Sequence, residues 1–185
     1  MKKITLITTN EKKAKEIALA LKPYNVELEH QGIKYSEDKE AGMEEVCTVA
    51  AKELANKLNK NVMVDDTGIF FEACNNFPGA LPKFVIKGIG LDGILRLLKG
   101  QNRDAHFETV IGYCEPGGEP KCFNGVMRGK ITREVVKPVN EKMPYDSIFI
   151  PHGLDCPISK MTLEEKNEIS QRAKAVRKLG EYLKQ

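Results

Sequence analysis

Val62-Met63-Val64-Asp65-Asp66-Thr67-Gly68 is the stretch that decides the fold class. Its apolar residues indicate the end of a buried strand, and two carboxylates follow directly. Thr67 and Gly68 then predict a turn, because glycine tolerates backbone angles that other residues resist. Carboxylates at the carboxyl end of a strand in an α/β fold lie where ligands usually bind. Side chains alternate along a strand, so Asp65 and Asp66 are expected to point to opposite sides. A plain polar turn, with an aspartate as a cap, is the alternative interpretation.

The composition is that of an ordinary globular protein. The 185 residues suffice for one domain, residues 1–185, with a core in two lobes. The formal charge of +3 is too small to indicate a nucleic-acid or membrane partner. No stretch approaches the ~20 apolar residues of a membrane span, and the first residues do not continue as a signal peptide. We therefore expect a cytoplasmic protein.

The cysteines point to the same compartment. They number five, and no two are spaced as a metal-binding pair. Most have apolar or small neighbours, so we expect most of them to be buried thiols in a reducing environment.

The first residues predict a strand, a turn and a helix. A strand is indicated over 3–8, and Thr8-Thr9-Asn10 ends it with helix-capping residues. The apolar spacing from Glu11 onward predicts a helix that ends before Pro23. Its first backbone amides, together with Lys13, would form an anion site. Alternatively, the lysines of this helix only solvate its surface.

The rest of the chain alternates between strand and helix patterns. Strands are predicted over 26–30, 62–64, 106–114, 121–131 and 147–150, and helices over 43–58 and 91–98, with a last helical segment after the capping-box sequence at 162–165. A Pro/Gly loop is predicted over 75–83. The alternation of strands and helices with short loops predicts an α/β fold.

Four distant segments carry compatible chemistry. The turn at 8–13 offers amides and a cation, Lys83 follows the Pro/Gly loop, and the run 165–172 adds cations and hydrogen-bonding groups. Glu37 and Asp66 offer the hard oxygen ligands that Mg²⁺ prefers. Together they indicate a polyphosphate held with a divalent metal.

At this point the chain resembles the inosine triphosphate pyrophosphatases, or Ham1-like nucleotidases. The resemblance rests on Thr8-Thr9-Asn10-Glu11-Lys12-Lys13, on Asp65-Asp66-Thr67-Gly68 with Phe77-Pro78-Gly79, on Tyr145-Asp146-Ser147, and on the closing Glu165-Lys166-Asn167 with Ser170-Gln171-Arg172. The pieces stand in the family's order and span nearly the whole chain.

The resemblance implies a fold, an activity and a set of roles. The fold would be two-lobed α/β, with a long central mixed β-sheet flanked by helices and a cleft between the lobes. The activity would be Mg²⁺-dependent hydrolysis of ITP, dITP and XTP to the monophosphate and pyrophosphate, by a homodimer with a small-molecule nucleotide as its partner. The implied residue roles are a catalytic base (Asp66), metal ligands (Glu37, Asp66), triphosphate contacts (Thr8, Asn10, Lys13, Lys83, Lys166) and base contacts (Tyr145 by stacking, Asp146, Ser170, Gln171, Arg172).

Three departures from the family pattern affect the substrate more than the reaction. Met143-Pro144 replaces the family's Phe-Gly, with Ser147 where it has proline; Gln171 replaces its histidine; and its Asn-Ala and Lys of the second helix have no match here. A nucleotide-binding module without catalysis and a nucleotidase of altered base specificity are therefore the alternative functions.

The roles implied for the end of the chain carry a geometric condition. At ~100° per residue, one unbroken helix would project Ser170 and Arg172 about 160° apart, so both could not easily line one pocket. We therefore expect a break in the helix, with Ser170 as the cap of the final segment.

Overall fold

The computed structural model describes residues 2–35, 38 and 41–185. Within these residues the chain forms a seven-stranded mixed sheet flanked by five α-helices. The strands are β1 (Lys2–Ile7), β2 (Val26–Gln31), β3 (Val62–Phe71), β4 (Pro78–Gly79), β5 (Asp104–Cys114), β6 (Lys121–Ile131) and β7 (Phe149–Pro151). The helices are α1 (Glu11–Leu21), α2 (Met43–Leu58), α3 (Pro82–Leu97), α4 (Leu163–Ile169) and α5 (Gln171–Leu183).

The sheet has a parallel half and an antiparallel half. Its strand order is β2-β1-β3-β5-β6-β7, with the short β4 paired to β3. Strands β2, β1 and β3 run parallel, whereas β5, β6 and β7 add antiparallel pairs. The predicted α/β fold with a mixed central sheet is confirmed.

The predicted turn at Thr67 and Gly68 is wrong. Strand β3 continues to Phe71, and every residue of it pairs with β5. Gly68 is required for a different reason: a Cβ atom there would lie 2.7 Å from the carbonyl oxygen of Gly79, where β4 crosses closely. The parallel pairing of β3 with β1 nevertheless ends at Val64. Asp65 and Asp66 therefore stand just beyond the carboxyl edge of the parallel half, although the strand itself continues.

The two faces of β3 pack against different helices. Met63 belongs to a core cluster with α1 and α5, and Val64 belongs to a separate cluster with α2. Because side chains alternate, Asp65 continues the face of Met63 and Asp66 continues the face of Val64. Their predicted opposite orientation is confirmed.

The first two predicted helices are confirmed, but α3 begins earlier than expected. Helix α2 has the predicted bounds. Helix α3 starts at Pro82, because proline suits the first turn of a helix, so Lys83 lies in that turn and not in a loop. Gly90, with a φ of +63°, kinks the helix. The kink and the glycines around it weaken the apolar periodicity of this segment, so the sequence pattern predicted only its second part, over 91–98.

A third core cluster holds the other lobe together. It joins α3 to the far ends of β3, β5 and β6 and includes Tyr145 and Phe149. A short 3₁₀ turn over Pro144–Ser147 precedes β7, so the strand predicted over 147–150 begins later than expected. In the described part of the chain, no helix is both long and apolar enough to cross a bilayer.

The predicted break before the last helix is confirmed. Helix α4 ends at Ile169, and Ser170 adopts an extended conformation with φ −66° and ψ 150°. Its hydroxyl accepts a hydrogen bond from the amide of Ala173 at 3.2 Å, which caps α5. The capping box of Thr162 and Glu165 at the start of α4 is also present.

The cysteines are less buried than predicted. Cys47 and Cys114 are buried, Cys74 and Cys122 are half-buried, and Cys156 is exposed. The prediction that most are buried is therefore wrong, since apolar neighbours in sequence do not determine which residues pack around a thiol in space.

Candidate functional site

A cavity of about 770 Å³ opens between α1, α4 and the segment 138–143. Two of the predicted substrate residues, Lys166 and Asp146, line it. Met143, one of the departures from the family pattern, lines it as well, and so does Glu16 of α1, which the sequence did not single out. The cavity is large enough for a nucleotide base with its sugar.

Lys166 is held between two carboxylates at the floor of this cavity. Its ammonium group lies 2.6 Å from Asp146 and 2.8 Å from Glu16. Glu16 is buried and also accepts a charge-assisted hydrogen bond from Arg172. The side chain of Lys166 is therefore fixed in the cavity before any ligand arrives.

The ion pairs continue from Glu16, away from the cavity, into the interior of the protein. Arg172 is 2% exposed and donates from Nε to Asp65 at 3.1 Å and from a terminal nitrogen to the Thr67 hydroxyl at 3.1 Å. Asp65 also pairs with Lys13 at 3.1 Å. Three cations and three carboxylates thus alternate from Lys13 to Asp146, and within this chain their charges balance.

The ion pairs determine the ionisation of the buried acids. Burial disfavours the charged forms, but the attraction of Lys13 and Arg172 outweighs it and holds the pKa of Asp65 below its ordinary value. In the same way, burial is outweighed by Arg172 and Lys166, which lower the pKa of Glu16. Asp65 and Glu16 are therefore ionised at neutral pH.

Asp146 differs from the other two acids. Burial raises its pKa, and the attraction of Lys166 compensates only in part, while Glu16 adds repulsion. Of the three carboxylates in this network of ion pairs, Asp146 is consequently the one that accepts a proton most readily.

The predicted anion site at the start of α1 is only partly available. The Asn10 side-chain oxygen accepts from the amides of Lys12 and Lys13 at 3.0 and 3.4 Å, so these two donors are already capped. The Thr8 hydroxyl accepts from the Asn10 amide at 3.2 Å. The Lys13 ammonium is paired with Asp65. A phosphate would therefore have to meet this turn through its remaining amides and hydroxyls, or draw Lys13 toward itself.

Asp66 lies on the other face of the sheet, toward α2. It is half-buried, and its carboxylate accepts from the Thr67 amide at 2.8 Å. Its negative charge helps to raise the pKa of the nearby Cys47 thiol, although burial is the larger cause. Asp65 is occupied by two cations, Lys13 and Arg172, and the role of Asp66 as metal ligand and base stays a prediction. The second predicted metal carboxylate, Glu37, lies outside the described residues.

Tyr145 and Lys83 lie apart from the chain of charges. The Tyr145 ring is buried and meets Phe107 edge to face, and its hydroxyl donates to the Pro82 carbonyl at 3.0 Å. Lys83 is exposed in the first turn of α3. Stacking of Tyr145 on a base stays a prediction, and it would require the ring to present a face that is now packed.

The last two predicted base contacts, Ser170 and Gln171, differ in whether their side chains already have hydrogen-bond partners. The Ser170 hydroxyl caps α5. Gln171 is 4% exposed, and its side-chain oxygen has no hydrogen-bond partner among the described residues. A buried polar atom without a partner is costly, so this oxygen is a candidate for a ligand contact.

Sequence reasoning missed Glu16. Glu16 occupies the inner face of α1 between apolar residues, and an acid at a core position was the signal that could have identified it. Met143 stands where the resemblance expects phenylalanine before the aromatic, and it lines the cavity, whereas Tyr145 is not among the lining residues.

The chain is similar in sequence to known pyrophosphatases over almost its whole length. It is 41% identical over 184 residues to the dITP/XTP pyrophosphatase of Methanopyrus kandleri, covering 98% of this chain and 96% of the relative. It is 39% identical to the protein of the same name from Thermococcus kodakarensis, covering 99% and 98%.

A solved structure and a family model agree with these relatives. The structure of a HAM1 protein from Coxiella burnetii has the same fold, with a TM-score of 0.82 over 100% of this chain and 99% of that chain at 24% identity. The model of the Ham1 family matches residues 4–182. With a match of this extent, the chain belongs to the Ham1 family.

Proposed function

We propose that this protein hydrolyses deaminated purine nucleoside triphosphates, namely ITP, dITP and XTP, to the monophosphate and pyrophosphate. Membership of the Ham1 family and two relatives that bear the name dITP/XTP pyrophosphatase support this activity. The observation that carries it is the cavity whose floor holds Lys166 between Asp146 and Glu16, joined through Arg172 to the start of α1.

The proposed arrangement places the base in the cavity and the phosphates at the 8–13 turn. Asp146, Lys166, Arg172, Ser170 and Gln171 surround or support the base end, and Tyr145 is the proposed stacking residue. Thr8, Asn10, Lys13 and Lys83 are the proposed triphosphate contacts, with Lys166 where the two ends meet. Lys13 would serve the phosphates by exchanging Asp65 for the ligand, at little electrostatic cost, because the phosphate replaces one negative partner by another.

The proposed chemical step is attack of water on the α-phosphorus. Asp66 takes a proton from that water, the water oxygen forms a bond to the α-phosphorus, and the bond from this phosphorus to the bridging oxygen of the β-phosphate breaks. Pyrophosphate leaves with that electron pair. A positioned base of this kind typically contributes ~10²–10⁴ in rate.

A divalent metal fits one part of this site. Asp66 supplies the hard oxygen donor that Mg²⁺ prefers, on the face of the sheet away from Lys13. Within the described residues, however, no group of three or more His, Cys, Asp or Glu side chains could hold a metal ion. We propose that Asp66, together with Glu37 outside the described residues, would hold Mg²⁺. When bound, the ion would neutralise charge on the phosphates.

Discrimination against adenine follows from the donors at the base end. Lys166 lines the cavity and only donates hydrogen bonds, so a keto group at the 6-position is matched, whereas an amino group would face a donor with a donor. Asp146 would accept from the ring nitrogen that carries a proton in hypoxanthine and xanthine and none in adenine.

One assay separates the proposal from its alternatives. The protein is incubated with ITP, XTP, dUTP and ATP in the presence of Mg²⁺, and phosphate and pyrophosphate are measured separately. We expect pyrophosphate from ITP and XTP only. Release of single phosphates, or hydrolysis of another base, would favour a nucleotidase of altered specificity. Binding of ITP without turnover would favour a module that lacks catalysis.

The assembly and location implied by the resemblance belong to the same proposal. We expect a homodimer, which sedimentation of the purified protein would distinguish from a monomer, and a cytoplasmic enzyme, which cell fractionation would test.

A further inference from the structure

The rim of the cavity carries an excess of positive charge. Lys12 and Lys15 of α1 and Lys142 of the segment 138–143 line it, and all three are exposed. Across residues 2–35, 38 and 41–185, none of these ammonium groups is paired with a carboxylate. Glu141 is the acidic residue that shares this rim.

The buried groups beneath the rim offset this excess only in part. Glu16 is neutralised by Lys166 and Arg172, and Asp146 shares Lys166. Asp65 is neutralised by Lys13 and Arg172. Counted over all the residues that line the cavity, four lysines stand against three acids, so the cavity keeps a net positive charge of one, and the lysines of the rim are its source.

A positive cavity distinguishes between the two deaminated bases. The additional keto group of xanthine makes a ring proton acidic, so the base of XTP is largely an anion at neutral pH. The base of ITP is neutral under the same conditions. The triphosphate is the same in both, and its attraction to lysines therefore cancels when the two substrates are compared.

We propose that Lys12, Lys15 and Lys142 make this enzyme select the anionic base of XTP over the neutral base of ITP. The inference rests on the proposed function. It adds that XTP is the preferred deaminated purine and that electrostatic attraction causes this preference. The lysines act at the rim through their field, whereas Lys166 within the cavity would hold a group that both bases share.

The expected size follows from the exposure of the lysines. Exposed charges interact through water and are screened beyond ~8–10 Å at physiological salt. Each lysine therefore contributes roughly two- to fivefold to the ratio of kcat/KM for XTP to that for ITP, and the three together about tenfold or more. The ratio also falls as salt is added, because screening weakens the rim but leaves hydrogen bonds in the cavity in place.

The pH dependence of the ratio has a definite sign. Acidification protonates the xanthine base and removes its charge, so the preference for XTP declines. Three elements present charged groups to the cavity. Helix α1 contributes Lys12, Lys15 and Glu16, the segment 138–143 with the following 3₁₀ turn contributes Glu141, Lys142 and Asp146, and α4 contributes Lys166. Protonation of any of these acids makes the cavity more positive and would raise the preference. A decline in acid therefore reports on the substrate and not on the protein.

The test compares two variants with the same change in net charge. In the rim variant Lys12→Gln, Lys15→Gln and Lys142→Gln are combined; in the control, three exposed lysines outside the cavity lining are replaced, Lys57→Gln, Lys99→Gln and Lys121→Gln. We expect the XTP/ITP ratio of kcat/KM to fall about tenfold in the rim variant and to stay unchanged in the control.

The possible outcomes separate this inference from the function on which it rests. An equal loss for XTP and ITP in the rim variant would place these lysines on the phosphates and overturn the inference. An unchanged XTP/ITP ratio of kcat/KM in the rim variant, or a ratio that rises in acid, would also overturn the inference. Absence of pyrophosphate release from both substrates in the unmodified protein would instead overturn the proposed function.

Discussion

The ammonium group of Lys13 and the carboxylate of Asp65 are 3.1 Å apart, in an ion pair whose side chains are 11% and 1% exposed. This pair ties the first turn of α1 to β3, and Arg172 joins it from the start of α5. Three elements distant in the sequence are thereby locked together. A ligand that drew Lys13 away would leave Asp65 with Arg172 alone, so binding at the turn is connected to the position of Arg172.

Asp65→Asn is expected to destabilise the protein by about 3–5 kcal/mol, because it leaves Lys13 and Arg172 buried without their common carboxylate. Chemical denaturation measures the free energy of unfolding. The matched control is Asp155→Asn, which removes an exposed carboxylate and should cost less than ~0.5 kcal/mol. Equal stability of the two variants would mean that the buried pair contributes nothing net.

Asp66→Asn is expected to abolish pyrophosphate release while the fold and nucleotide binding persist. The amide keeps the shape of the side chain and can still accept from the Thr67 amide, but it cannot take a proton from water. Turnover of ITP and binding by calorimetry are measured on the same preparation. Near-normal turnover in this variant would remove Asp66 from the proposed mechanism.

Stability is expected to fall in acid, with Glu16 and Asp65 as contributors. Both have a folded-state pKa below the ordinary values of 4.5 and 3.8, because Arg172 and the lysines outweigh the effect of burial. Their contribution is therefore complete above pH ~5 and is lost as the pH falls below these ordinary values toward the folded-state pKa. The measurement is the free energy of unfolding against pH.

Glu16→Gln provides the comparison for that acid loss. The variant should be less stable than the unmodified protein at pH ~7. The difference in the free energy of unfolding should shrink in acid, because the unmodified protein then loses the charge of Glu16 by protonation. A difference that is independent of pH would assign the effect of Glu16 to packing and not to charge.

Met143 and Tyr145 are expected to respond differently to substitution. Met143→Ala removes a wall of the cavity and should raise KM for ITP severalfold with little loss of stability. Tyr145→Phe loses the hydrogen bond to the Pro82 carbonyl and should cost ~1 kcal/mol of stability with little change in KM. Tyr145→Leu then tests stacking: a large rise in KM, beyond that of Met143→Ala, would show that the buried ring does reach the base.

Gln171→His is expected to sharpen the discrimination of ITP and XTP against GTP. The Gln171 side-chain oxygen is buried without a partner and can accept from the 2-amino group of guanine. The predicted change in the kcat/KM ratio is roughly 5- to 150-fold, which corresponds to a contact of ~1–3 kcal/mol. An unchanged ratio would mean that position 171 contributes only its backbone, and that the segment around Met143 sets the pocket.

Local patterns were sufficient for elements whose signals lie close together in the chain. Helix α2 and the hairpin of β5 and β6 follow from apolar spacing and strand propensity, which act over a few positions. The break at Ser170 was expected for another reason, namely the roles that the family resemblance implies for Ser170 and Arg172. The continuation of β3 past Gly68 did not follow from such patterns. It depends on pairing with β5 and β4, whose partners are distant in sequence.

The sequence by itself determined which chemical groups this protein has: the adjacent aspartates and their opposite directions, the cations of the first and last helices, and the family to which the motifs belong. Only the tertiary structure decided which of those groups pair with one another and which are buried. It placed Glu16 between Lys166 and Arg172, paired Lys13 with Asp65, and buried Tyr145. The physical reason is that an ion pair depends on distance in space, and a spacing of 107 residues between Asp65 and Arg172 carries no information about it.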